Sequence, residues 1–346
     1  MRRPTTHFES IPPVRSRISI AAVALLASTL VRADTTAAQE TIAPMLAPIV
    51  VSGEQPGPGM WKVSKGDHVL WILGSLTPLP NKMTWLAREV EATIAQSQEV
   101  LMPASVNFSV KGGAIGGLFL LPSLLGARNN PDKQELVDVV PAELYPRWLE
   151  LKQKYLGDDD TVENRRPIFA AFELYDKALR SAGLSDDSVI DPVVAKAAKK
   201  NRIEVTQPRI ELKLDKARAT VKEFARTSLD DIECFRKTIE RLEGDLGVMQ
   251  ARANAWASGD LEALAGLVYV DQNKACREAF LRTSIAQEKG VDDLPERVAT
   301  LWLEAADKAL ANNAVTFATL PIGRLLDGGG YLDRLRARGY EIEAPQ

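Results

Sequence analysis

Histidine, the side chain most often used to bind a transition metal or move a proton near neutral pH, occurs twice in this 346-residue chain, as His7 and His68. A Ser/His/Asp triad would therefore have to use His68, and no Gly-x-Ser-x-Gly turn accompanies it. His68 reads more simply as the first side chain of a strand, beside the turn at Gly66-Asp67. Asp158-Asp159-Asp160 offers three carboxylates but lacks the spacing and glycine of a calcium loop, and reads as a solvated turn capping a helix at Val162. Gly112 to Gly126 has neither a phosphate-loop lysine nor a Gly-x-Gly-x-x-Gly pattern, and is too short and interrupted to span a membrane. It is expected to be an apolar loop packed over the core, with a ligand or partner surface as the alternative. What remains is Gly74-Ser75-Leu76-Thr77 after one apolar strand and Arg324 after another. A threonine hydroxyl can act as a nucleophile if a base serves it, and a permanently charged guanidinium can hold an anion or a developing oxyanion.

Two further features concern compartment. Arg2, Arg3, Arg15 and Arg17 precede the apolar run Ile18–Val31, and Val31-Arg32-Ala33 follows. That order matches a secretory signal peptide over residues 1–33, cleaved near Ala33 or Ala38, and the run is short for a membrane anchor, which is the competing reading. Cleavage after Ala33 would remove five arginines and Glu9, taking the net charge from −3 to −7 and leaving His68 as the one histidine. A periplasmic or secreted location follows, with no membrane span in the mature chain. Neither charge nor composition, at 45% hydrophobic and 26% charged, points to nucleic acid as a partner. In an oxidising compartment Cys234 and Cys276 form a disulfide more readily than a zinc or redox site, contributing on the order of 3–4 kcal/mol; two buried free thiols are the alternative.

The elements that would position these groups follow from periodicity and punctuation. Residues 34–59 are polar and then rich in Pro and Gly, a flexible linker leading into one domain over 60–346. His68–Leu73 and Glu99–Met102 read as strands joined by a helix from Lys82 to Gln98. The same order returns near the C-terminus, with a strand over Val315–Leu320, a helix over Tyr331–Arg338 closed by Gly339, and a strand over Tyr340–Glu343. Helices are expected from Pro141 to Leu156, Val162 to Ala182, Pro192 to Lys200, Ser228 to Ala257 and Asp293 to Asn312, with a strand over Ile203–Thr206. The fold class is α/β: two β-loop-α-β units sharing a central sheet, with a large helical insertion between them.

Leu70-Trp71-Ile72-Leu73-Gly74-Ser75-Leu76-Thr77 resembles the opening of the TraB/GumN family, whose members share a fold with the Tiki proteases. Ala255-Trp256-Ala257-Ser258-Gly259-Asp260-Leu261 looks like the family's tryptophan–GDL segment, and Gly330-Tyr331-Leu332 through Gly339-Tyr340 looks like its C-terminal ending. The resemblance covers about residues 60–343. It implies a divalent metal that activates water, held by a Gly-x-x-His after the first strand, a Glu after the next and a second Gly-x-x-His near the C-terminus. This chain departs at each place: Thr77 follows Gly74-Ser75-Leu76, Pro103 follows Leu101-Met102, and Arg324 closes Pro321-Ile322-Gly323. Threonine is a weak ligand and arginine repels a cation, so no metal or other cofactor is expected.

Two functions are compatible with these departures. One is a pseudoenzyme, a non-catalytic binding or assembly protein of the cell envelope whose protein partner or envelope ligand is not named by the sequence. The other is a peptidase-like hydrolase with a rebuilt, metal-independent site, Thr77 acting as nucleophile and Arg324 as anion stabiliser. A role as a lid or chaperone for polysaccharide machinery would rest on family analogy alone.

Overall fold

In the computed structural model, described residues are 57–110, 120–214, 216–227, 229–244, 246–267, 272–283, 286–287 and 290–345. The expected signal peptide and most of the linker lie outside them. Strand β2 (His68–Ser75) is apolar along both faces, as a strand covered on both sides must be. The hairpin turn at Gly66, where φ is +64°, returns it from β1 (Met60–Lys65). Beyond β3 (Leu79–Pro80), helix α1 (Arg88–Gln96) buries Val90 and Ile94 and feeds β4 (Glu99–Leu101). The helix begins six residues later than periodicity predicts.

Strand β5 (Ser105–Val110) is followed by a helical region: α2 (Leu121–Ala127), α3 (Leu136–Val139), α4 (Tyr145–Tyr155) and α5 (Pro167–Ser181). The described end of the glycine-rich stretch is thus helical, and Leu121, Leu124 and Leu125 are exposed rather than packed over the core. Helix α5 starts at Pro167, not Val162. The residues before it form a 3-10 turn over Asp160–Asn164, capped by the Asp159 carboxylate, which accepts from the Thr161 amide at 3.0 Å. The aspartate run therefore caps, as read, but caps a tighter turn.

After β6 (Leu184–Ser185), helix α6 (Asp191–Asn201) and β7 (Glu204–Thr206) match expectation closely. Strand β8 (Arg209–Leu214) pairs in parallel with β5 as a two-stranded ribbon that is not among the expected elements. Helices α7 (Ala217–Phe224), α8 (Ile232–Gly244), α9 (Leu246–Ser258), α10 (Leu261–Gly266) and α11 (Gln272–Leu281) complete the insertion. The long helix expected from Ser228 to Ala257 is described over Ile232–Gly244 and Leu246–Ser258. The chain closes with α12 (Leu294–Asn312), β9 (Val315–Pro321), α13 (Ile322–Leu326), α14 (Tyr331–Ala337) and β10 (Glu341–Glu343).

The main sheet has the order β10-β1-β2-β9-β4-β7. Strands β2, β9, β4 and β7 pair in parallel, and β1 runs against its neighbours β2 and β10. Both β-loop-α-β units therefore contribute to one sheet, with β9 inserted between β2 and β4. Leu70, Ile72, Val100, Phe317 and Ala318 centre its core, closed by Trp256 and Trp302. A second core within the helical insertion gathers Trp148, Leu174, Phe235 and Ile239. Cys234 and Cys276 form a disulfide between α8 and α11, fully buried beside Ile168 and Ala279.

Candidate functional site

In the parallel register Ser75 lies opposite Pro321, and Leu101 opposite Ala318. The segments holding Thr77, Pro103 and Arg324 thus leave the same edge of the sheet from three neighbouring strands. That edge, outside the carboxyl ends of the strands, is where open α/β sheets bind ligands. A cavity of about 550 Å³ opens there on the β9–β4 side, and both Pro103 and Arg324 line it. Thr77 is not among its lining residues. It is exposed in the loop after β2, and its peptide bond to Pro78 is cis.

The rest of the wall comes from helices distant in sequence. The first turns of α12 supply Leu294, Glu296 and Val298, α14 supplies Tyr331 and Arg334, and α11 supplies Arg277. Arg334 grips Glu296 through two hydrogen bonds of 2.7 and 3.2 Å, which hold that carboxylate below its ordinary pKa. Among the described residues Arg324 pairs with Asp327 alone, at 4.0 Å. Burial raises the Tyr331 phenol, against the opposing pull of Arg324 and Arg334, and its ring meets Trp302 edge-on at 5.1 Å.

The glycines and tryptophan around this edge have geometric causes. A Cβ on Gly74 would fall 2.9 Å from Ile322 Cγ1 and 3.0 Å from Trp61 Cζ3, so only glycine lets α13 close on β2. The buried Trp256 indole donates to the Gly74 carbonyl at 2.9 Å, fixing the carboxyl end of β2 from α9. Gly259 then turns the chain with φ +74°, and the Asp260 carboxylate caps α10 through the Ala263 amide at 2.8 Å. A Cβ on Gly330 would approach the Arg324 and Asp327 carbonyls to 2.7 and 2.8 Å, so this turn also requires glycine. The three segments singled out in the sequence therefore serve one framework around the strand ends, and the model of the TraB/PrgY/gumN family matches residues 59–344.

The chain belongs to the TraB/PrgY/gumN family. No curated protein and no solved structure matches it.

Whether a divalent metal would suit this TraB/PrgY/gumN chain depends on the donors at the strand ends. Thr77, Pro103 and Arg324 supply no imidazole and no carboxylate; of the two acids lining the cavity Glu296 is bound by Arg334, and Asp327 adds a single carboxylate 4.0 Å from the Arg324 cation. Among the described residues no three His, Cys, Asp or Glu side chains gather as a metal site. The residues present do not fit a metal. His68 does not alter this: it pairs with Lys65 at the start of β2, about 20 Å from the carboxyl end for an eight-residue strand, and its nearest acid is Asp67 at 3.6 Å.

The structure thus brings Pro103 and Arg324 together but leaves Thr77 out of their cavity. No hydrogen bond joins the Thr77 hydroxyl to a base among the described residues. Sequence reasoning missed Arg277, Glu296, Tyr331 and Arg334 as site residues. One signal was available for Arg277, which follows Cys276 directly: the helix carrying it is pinned by the disulfide.

Proposed function

We propose that this TraB/PrgY/gumN-family chain is an exported, non-catalytic binding or assembly protein of the cell envelope, using the cavity at the carboxyl ends of β9 and β4 as its binding site. The observation that supports it most directly is the cavity itself. Two positions at which the family resemblance implies metal ligands, now Pro103 and Arg324, line one pocket of ligand size whose wall carries guanidinium groups. The scaffold around it is intact, since Gly74, Trp256 and Gly330 keep the contacts that shape the strand ends. Export rests on the signal-peptide pattern of residues 1–33 and accords with the buried disulfide. No helix among the described residues is long and apolar enough to cross a membrane.

The test is elemental analysis of the mature protein, expressed with its own leader and purified without chelator or affinity histidines. The expected result is no stoichiometric manganese, cobalt, zinc or iron. One equivalent of any of these, with peptidase activity abolished by chelation, would overturn the proposal.

A further inference from the structure

Resting on that reading, we infer that the cavity takes a singly charged organic anion with an apolar body, an aliphatic carboxylate in chemical type, anchored by Arg277 and Arg324. Charge sets the first constraint. Arg277, Arg324 and Arg334 line the cavity with Glu296 and Asp327, leaving one positive charge in excess.

The three guanidiniums are not equivalent. Arg334 spends its donors on Glu296, at 2.7 and 3.2 Å. Arg324 has its nearest carboxylate at 4.0 Å, beyond hydrogen-bond reach, and about half of its side chain is exposed. Arg277 is half-buried, and among the described residues it makes neither hydrogen bond nor ion pair. A partly desolvated cation without a counter-charge is unfavourable, and an incoming carboxylate relieves it. The planar guanidinium fork matches a carboxylate through two parallel hydrogen bonds.

The apolar part of the wall selects against a small, fully hydrated ion. Leu281, Leu294, Val298, Ala299 and Leu320 line the same space, enough to desolvate an aliphatic chain. The volume of about 550 Å³ lies within the range of small-molecule sites. A neutral chain would offer Arg277 and Arg324 no counter-charge, and a phosphate monoester near its second ionisation brings more negative charge than the cavity offsets.

The experiment is calorimetric titration of the mature full chain with decanoate, decanol and decyl phosphate, on a batch whose metal content has been measured. Decanoate is expected to bind one molecule per chain, with decanol and decyl phosphate at least about tenfold weaker. Arg277→Gln and Arg324→Gln should each weaken decanoate by about tenfold or more, the range for one charge-assisted hydrogen bond. Arg324 is surface-exposed, so its variant keeps the test available if Arg277→Gln misfolds. Absence of decanoate binding, equal binding by both variants, or tighter decyl phosphate would each overturn the inference. A stoichiometric metal in the batch overturns the binding-protein reading as well, whereas metal-free protein that ignores decanoate overturns the ligand class alone.

Discussion

Asp231 is a buried carboxylate whose removal should make the protein more stable at neutral pH. It sits immediately before α8, 3% exposed, and its Oδ2 accepts from the Ile168 amide in the first turn of α5 at 3.0 Å. Arg166 lies nearby, but its guanidinium is committed to the carbonyls of Asn129, Phe224, Ala225 and Thr227. Burial outweighs the hydrogen bonds and raises the carboxyl from 3.8 to about 6. In the unfolded chain the proton leaves near 3.8, whereas the folded protein holds it to about 6. The associated stability is therefore complete below pH 3.8 and is lost as pH rises through about 6. A shift of about two units at 1.36 kcal/mol each corresponds to about 3 kcal/mol. Asp231→Asn keeps an oxygen for the Ile168 amide but cannot ionise. Urea denaturation of both proteins, followed by tryptophan fluorescence at intervals from about pH 4 to about pH 7, measures the difference. The variant should gain on the wild type by about 3 kcal/mol across that range, with the change centred below pH 6. Parallel stability curves for the two proteins would refute the assignment of that carboxyl.

Two further outcomes test the framework of the site. Trp256→Phe keeps most of the apolar volume but leaves the buried Gly74 carbonyl unpaired, and should cost about 1–3 kcal/mol in the same denaturation assay. Reducing the Cys234–Cys276 disulfide under native conditions should lower stability by about 4 kcal/mol for a loop of 42 residues, and should weaken decanoate binding because α11 carries Arg277; unchanged binding after verified reduction would separate the two.

Much of the fold was legible because its signals are local. The apolar run of β2 and the Pro and Gly stops around α6 identify elements without reference to the rest of the chain. The C-terminal ending was equally readable. Gly339 takes φ +85°, and Tyr340 follows, its phenol pushed up to about 12 by burial and a hydrogen bond to Asp307, which also receives Arg338. The β5–β8 ribbon carries a local signal, since Ser105–Val110 and Arg209–Leu214 both alternate polar and apolar residues, but its pairing joins segments about a hundred residues apart, which local spacing does not encode. The first helix was read too long because amphipathic spacing continues into Lys82–Ala87, where the chain forms no helix.

Residue type alone determined what chemistry the strand ends lack. Threonine, proline and arginine cannot replace imidazole and carboxylate as ligands wherever the backbone places them, because ligation depends on the donor atoms themselves. Only the tertiary structure decided which of these positions share a space. Pairing β9 between β2 and β4 puts Arg324 and Pro103 on one wall and leaves Thr77 outside it. The same folding brings Arg277 to that wall on a helix tied by a disulfide to another 42 residues away. Such contacts arise from the register of strands and the packing of helices far apart in sequence, which local spacing does not encode.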